Sequence, residues 1–487
     1  MELCLEPAHR LCAQLRERRI TAVELLERYR ARVERLNPAL NAIIATDFDA
    51  ALERARQADA AIARGESWGP LHGLPITLKD TFEFAGLATV AGAPALKEHR
   101  PARSAPAVQR LLDAGAIVFG KTNVPMYAGD VQTHNAVFGM TRSPWDPERT
   151  PGGSSGGAAA AVAAGLTALE LGSDVAGSIR TPAHFCGIYG HKPSSGLVPM
   201  RGHIPGPPGT VSDADLAAAG PLARSAEDLV LALRVLAGPL APAASGWRVE
   251  LPAPRRTRLA DFRVALWLDD PYCAVDAGIK PALEGAAEQL RRAGAQVSTQ
   301  RPPFSLEELH QLYFQLLGAI FSAGIPAKLY RRAWLAGTLA FWLGRDKPDT
   351  LGGFMRAMTR SHRDWLVAHE KRERLRLAFE AFFETCDVLL MPVVRIAAPP
   401  HNNRGSPYSR QITVNGRSEP YVTQFTWIGP ATLLGLPATS APVGLTPGGL
   451  PVGVQIVGAH LQDLTTIDFA RQLTELTGGF RAPPAAA

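Results

Sequence analysis

Pro151-Gly-Gly-Ser-Ser-Gly-Gly157 runs directly into Ala158-Ala-Ala-Ala-Val-Ala-Ala-Gly165, and Ala168-Leu-Glu-Leu-Gly-Ser-Asp174 follows. A glycine-serine loop, a helix of very small residues and a short apolar strand ending in polar residues therefore succeed one another. Small side chains let such a helix pack closely, and its N-terminus aims backbone N–H groups at whatever the loop holds. A bare glycine-serine stretch is more often a flexible linker. A phosphate loop is a further reading, but no GxxxxGK[ST] and no strand-linked GxGxxG is present. The texture repeats upstream, in LPITLKD at 74–80 and AIVFGKTN at 116–123, with a helical stretch at 104–114 between them. Strands alternating with helices predict an α/β fold, with helices on both faces of a sheet. Polar residues that end such strands are well placed to form a site.

Outward from this core, the first seventy residues read as helical. Thr21-Ala-Val-Glu24 has the form of a capping box, and Asn37-Pro38 is expected to end the helix it opens. A second helix is expected over Phe48 to Ala63, closed by Gly65. Beyond the core, a helix near 225–240 carries Ser225 and Asp228 at its start, and FRVALWL near 265 and DVLLMPV near 390 read as strands. Residues 305–384 read as mostly helical and rich in large apolar side chains. Residues 401–420 are polar and read as a surface excursion, and 421–478 return to α/β texture. No internal repeat and no interdomain linker stands out. The expectation is one large domain over 1–487: a helical segment at 1–70, a core at 71–240, a helical elaboration at 241–420 and a return to the core at 421–478.

Composition narrows the function classes. The 487 residues are 46% hydrophobic and 20% charged, ordinary for a globular chain. The N-terminus has no apolar run that fits a signal peptide, and no stretch approaches the ~20 apolar residues of a membrane span. A cytoplasmic protein with no membrane association is expected. The net charge of +6 comes from arginines interleaved with acidic residues, so a solvated basic surface is favoured over a nucleic-acid site. Cys4, Cys12, Cys186, Cys273 and Cys386 are odd in number and widely spaced, which favours reduced thiols. Dispersed histidines without HExxH give no expectation of a catalytic metal or other cofactor.

Two further segments bear on chemistry. In Gly172-Ser-Asp-Val-Ala-Gly-Ser-Ile-Arg180, a tight turn after the strand presents Ser178. Successive N–H groups from Val175 to Ser178 could converge on one point, as an oxyanion hole requires. A glycine turn whose serine caps the next helix is an equal reading of this segment alone. In Gly73-Leu-Pro-Ile-Thr-Leu-Lys-Asp80, Lys79 ends a short apolar strand. Burial would lower its pKa and fit it to accept a proton, although lysines after strands usually face solvent.

Together these segments resemble the amidase signature family, and the resemblance spans almost the whole chain. It is carried by Gly73–Asp80, Gly120-Lys-Thr-Asn123, Ser143-Pro-Trp-Asp146, the GGSSGG core at 152–157, the run from Gly172 to Pro193, LGLPATSAPVG at 434–444 and GLPVGVQIVG at 449–458. It implies a single large domain with a central mixed, twisted sheet flanked by helices. It implies a Ser-cisSer-Lys triad, with Lys79 as neutral base, Ser154 as relay after a cis bond to Gly153, and Ser178 as nucleophile. The N–H groups of Val175, Ala176, Gly177 and Ser178 would hold the oxyanion. Asp174 and Arg180 match a structural ion pair, and Ser155 is either a neighbour of the lysine or a plain loop hydroxyl. Cys186 reads as a buried small residue. The sequence departs from the family at Ala176 (usually Gly), at Met126 (often Glu) and at His191-Lys-Pro-Ser194 (usually LKPT).

The implied activity is hydrolysis of a linear amide, as in amidases and aryl acylamidases, with carbamates (a urethanase activity) and esters as further substrates. The alternative is the glutamine-hydrolysing subunit of a tRNA-dependent amidotransferase, which needs partner subunits. Against it stand Thr181, where that subunit usually carries Gln, and KPSSGLVPMRGHIPGPPG at 192–209. The expected partners are a small-molecule substrate and, for assembly, a second copy in a homodimer. Met126, Tyr127, Trp334, Phe425, Trp427 and Ile428 are the candidate pocket residues. Trp334, Phe341, Trp342 and Phe354 form an apolar lid on one reading and face the core on the other.

Overall fold

A computed structural model describes residues 2–204 and 208–486. Its centre is one sheet of eleven strands: β1 (Ile43–Thr46), β2 (Pro75–Lys79), β3 (Ile117–Thr122), β4 (Leu169–Asp174), β5 (Tyr189–Lys192), β6 (Ala218–Ala223), β7 (Arg263–Leu266), β8 (Gln296–Ser298), β9 (Val388–Pro392), β10 (Ala438–Leu445) and β11 (Pro451–Val457). The spatial order is β1-β3-β2-β4-β6-β5-β10-β11-β9-β7-β8. The sheet is mixed. β3, β2 and β4 run parallel, as do β9, β7 and β8, while the strands between those two groups are antiparallel.

The parallel trio explains where chemistry gathers. Thr77 of β2 pairs with Glu170 of β4, so the two strands finish side by side, β2 at Lys79 and β4 at Asp174. β3 finishes beside them at Thr122. Every residue of these three strands is buried, as parallel strands covered on both faces must be. The helix Gly156–Ala163 is likewise buried all round. Its close fit depends on Gly157, where an added Cβ would lie 2.4 Å from the Asn123 backbone nitrogen.

Several expectations are met and others corrected. The helix Phe48–Ala63 forms to the residue, with the Asp47 side chain accepting from the Ala50 N–H. The first long helix does not stop at Asn37-Pro38 but runs from Ala22 to Leu40. The proline sits in the last turn, and only two helical residues follow it. Asn41 then ends the helix in the left-handed region at φ 51, and Asn37 Oδ1 accepts from the Ala42 and Ile43 N–H groups. Only half of the first capping box forms: Thr21 accepts from the Glu24 N–H, while the Glu24 carboxylate turns outward to Arg28. The segment 241–420 is more than an elaboration, because β7, β8 and β9 complete one edge of the central sheet. Within the polar stretch 401–420, Gln411–Val414 and Arg417–Pro420 form a hairpin. Its alternation turns Ile412 and Val414 inward against Val131, Ile396 and Tyr421. Part of the 192–209 run, residues 205–207, lies outside the described residues.

Candidate active site

Lys79, at the end of β2, is fully buried. Its Nζ lies 2.7 Å from Ser154 Oγ, 2.9 Å from Ser173 Oγ and 3.3 Å from the Ser173 carbonyl oxygen. Burial pulls the ammonium pKa down to about 7, against the opposing pull of Asp174 and Glu170. The amine is therefore substantially neutral near neutral pH and able to accept a proton. The Gly153–Ser154 bond is cis. The Ser155 N–H donates to the Ser178 carbonyl at 3.2 Å, which seats the glycine-serine loop against the turn bearing Ser178. Ser155 Oγ donates to the same Ser173 carbonyl that faces Lys79.

Access separates the three side chains. Lys79 is 0% exposed, Ser154 1% and Ser178 9%, so Ser178 alone reaches toward the exterior. The Lys79–Ser154 contact is formed. Ser178 Oγ makes no hydrogen bond among the described residues, which leaves its hydroxyl free to turn toward Ser154 or a substrate carbonyl. The arrangement can move a proton from an accessible serine, through a buried one, to a neutral amine.

The turn that presents Ser178 is built around a buried ion pair. Arg180 reaches Asp174 through Nη2 at 2.9 Å and Nε at 3.0 Å, and both residues are fully buried. The remaining guanidinium hydrogens go to the Ile428 carbonyl, Gln455 Oε1 and Thr432 Oγ1. Burial alone would raise the Asp174 pKa, but the Arg180 charge and hydrogen bonds outweigh it and hold the carboxyl at about 2. Replacing Arg180 by Leu would strand a buried carboxylate and cost roughly 3–5 kcal/mol. The denaturant midpoint should fall accordingly, and Asp174→Asn in the same chain should recover part of the loss.

This pair also corrects the expected oxyanion set. Gly177 sits at φ 86, and its N–H donates to Asp174 Oδ1 at 2.8 Å. That donor is spent on the carboxylate, leaving Val175, Ala176 and Ser178 as the N–H groups without an acceptor among the described residues. Ala176 does not take a positive φ, so its Cβ brings no backbone strain. The Tyr313 hydroxyl, from the helix Leu306–Ser322, donates to the Val175 carbonyl at 3.0 Å. In a trans peptide this turns the Ala176 N–H the opposite way.

The six pocket candidates separate. Ile428 is buried and packs against the Ser178 turn: a Cβ added at Gly177 would meet its side chain at 3.1 Å. Phe425 is partly buried one turn before it. Met126 and Tyr127 are exposed on a short turn in which Tyr127 has φ 52. Trp427 is not a pocket wall. It is fully buried, edge-on to Trp267 at 6.0 Å, with its indole N–H on the Cys273 carbonyl. Trp334 is 50% exposed on the helix Ala327–Trp342, and Phe341 and Trp342 are exposed with it. Phe354 alone of the lid candidates turns inward, stacking on Tyr408 at 4.9 Å.

Sequence reasoning missed Ser173, Tyr313 and His203. Ser173 stood inside the quoted Gly-Ser-Asp run, beside the strand that carries Lys79, and adjacency of the two strand ends was its signal. Tyr313 and His203 come from distant segments and carry no local pattern. The unusual His191 and Ser194 find a common partner in Asp463, at 3.0 and 2.6 Å, so that departure is absorbed by a buried network. All five cysteines are buried and unpaired. Among the described residues no group of His, Cys, Asp and Glu is arranged to hold a metal ion, and no helix is long and apolar enough to cross a membrane.

The sequence model of the Amidase family matches residues 24–467. The chain is 31% identical to a component of the glutamyl-tRNA(Gln) amidotransferase of Carboxydothermus hydrogenoformans, over 99% of this chain and all of that one. It is 30% identical to fatty-acid amide hydrolase 2-A of Danio rerio, over 99% of this chain and 90% of the relative. Among solved structures it resembles a bacterial aryl acylamidase (TM-score 0.80, 26% identity, 97% of this chain and 96% of that one). It also resembles 6-aminohexanoate cyclic dimer hydrolase complexed with substrate (TM-score 0.79, 28% identity, 100% of both chains). With a match over most of its length and relatives that are amide hydrolases, the chain belongs to the amidase signature family, enzymes that hydrolyse carbon–nitrogen bonds.

Proposed function

We propose that this chain is a stand-alone hydrolase of small linear amides, aryl amides among them, with carbamates and esters as further substrates. Lys79 is the base, Ser154 the relay and Ser178 the nucleophile. Ser178 Oγ attacks the substrate carbonyl carbon. Its proton passes to Ser154 Oγ as the Ser154 proton passes to Lys79 Nζ. The N–H groups of Val175, Ala176 and Ser178 stabilise the oxyanion. Its collapse expels the amine, which takes the proton back along the same path. Water then cleaves the acyl ester on Ser178 by the same relay. The observation that carries this reading is the 2.7 Å contact between a fully buried lysine and Ser154.

The stand-alone form is favoured by Thr181, where the amidotransferase subunit usually carries Gln. The test is hydrolysis by the purified chain alone of a short aliphatic amide, an anilide, an aryl carbamate, an aryl ester and glutamine. Anilide, carbamate or ester should turn over while glutamine does not. Cleavage of glutamine alone, or activity only after partner subunits are added, would replace this reading with the amidotransferase one.

A further inference from the structure

Lys79 is approached from behind as well as from the front. Ser173 Oγ, 2.9 Å from Lys79 Nζ, lies 2.7 Å from His203 Nε2 on its other side. His203 is half-buried and stands edge-on to Phe82, ring centres 4.8 Å apart, where the two residues form an isolated antiparallel bridge. No step of the proposed reaction uses this histidine.

Its value lies in the direction of the hydrogen bonds. A neutral amine has two N–H donors and one lone pair. The Ser173 carbonyl can only accept, so it takes one N–H. Ser173 Oγ can accept the other N–H, or it can donate its own proton to the lone pair. In the second arrangement the lone pair is occupied and cannot receive the Ser154 proton. The partner on the far side of Ser173 decides between them. Burial holds the His203 imidazole well below the usual histidine range, so the ring is neutral beside the neutral amine. With its proton on Nδ1, the ring offers Nε2 as an acceptor and draws the Ser173 O–H toward itself. Ser173 Oγ then accepts from Lys79, and the lone pair is left facing Ser154.

We propose that His203 is a positioning residue: as acceptor for the Ser173 hydroxyl, it polarises the chain His203–Ser173–Lys79–Ser154 so that the amine presents its lone pair to the relay serine. This rests on the reading of Lys79 as base. The test needs no knowledge of the natural substrate. An alkyl fluorophosphonate reports activation of the nucleophile directly, because the attacking serine oxygen bonds to phosphorus, fluoride leaves and the serine proton goes to the relay. The maximal labelling rate and the half-saturating concentration are measured separately, and the labelled serine is located by peptide mapping.

His203→Phe keeps a ring against Phe82 but removes the acceptor. The maximal labelling rate should fall about tenfold to a hundredfold, the scale of a misdirected catalytic group, with the half-saturating concentration unchanged. His203→Gln, whose amide oxygen can accept at the same reach, should restore most of the rate. In a Ser173→Ala background, where there is no hydroxyl to direct, His203→Phe should change the rate less than about twofold. Labelling of His203→Phe at the wild-type rate, or an equal loss with and without Ser173, would overturn the proposal while leaving the triad in place. Labelling of wild-type protein at a residue other than Ser178 would overturn the triad reading, and the proposal with it.

Discussion

Ser178→Ala is expected to lower kcat/KM for an anilide or aryl ester by about 10⁴- to 10⁶-fold, the range seen when the nucleophile of an acyl-transfer triad is removed. The loss should be nearly complete because nothing else at the site can take the nucleophile's place. Ser154 is 1% exposed and already engaged by Lys79, and Ser155 is fully buried with its hydroxyl on the Ser173 carbonyl. The fold should be unaffected. Ser178 Oγ makes no hydrogen bond among the described residues, and the turn is held by Asp174, Arg180 and backbone groups that the substitution leaves alone. A circular-dichroism melt should therefore superimpose on wild type while turnover disappears. Retained turnover would move the nucleophile elsewhere.

Lys79→Met should cost about 10³-fold in kcat, within the range of general-base removal, and should also change the shape of the pH profile. As the proposed base, the lysine would work only as the neutral amine. Its pKa is lowered to about 7, so the active fraction falls about tenfold per unit below that pH and levels off above it. Activity should therefore rise from acid to neutral and plateau on the alkaline side. The residual activity of Lys79→Met, which has a side chain of similar length but no titratable nitrogen, should be flat across the same window. Because the methionine removes a buried amine rather than leaving a cavity, the variant should fold as the wild type does. A wild-type profile flat from acid to alkali would rule out the lysine as base.

The architecture was legible where local pattern and buried strands coincide. LPITLKD, AIVFGKTN and ALELGSD became three adjacent parallel strands, and their shared ends place Lys79 and the turn after Asp174 side by side. The small residues after the 152–157 loop could be read as a closely packed helix but not assigned a neighbour. Only the fold shows the Asn123 backbone against Gly157. All four N–H groups of 175–178 were counted as free donors, because sequence gives no sign that Asp174 turns back to take the Gly177 N–H. Aromatic residues misled most. Trp427 and Trp334 are the same residue type in apolar surroundings, yet one is sealed in the core against Trp267 and the other stands on an exposed helix. Tyr313 and His203 were out of reach for a different reason. Each meets the site through long-range packing, from a helix more than a hundred residues downstream and from a loop with no periodic signal.

The most direct measurement is mass spectrometry of the purified chain quenched during turnover of an anilide or aryl ester. An added acyl mass is expected on the peptide containing Ser178, present in wild type and absent in Ser178→Ala. Turnover with no acyl adduct in wild type even when deacylation is slowed, or an adduct on another residue, would contradict the assignment of Ser178 as nucleophile.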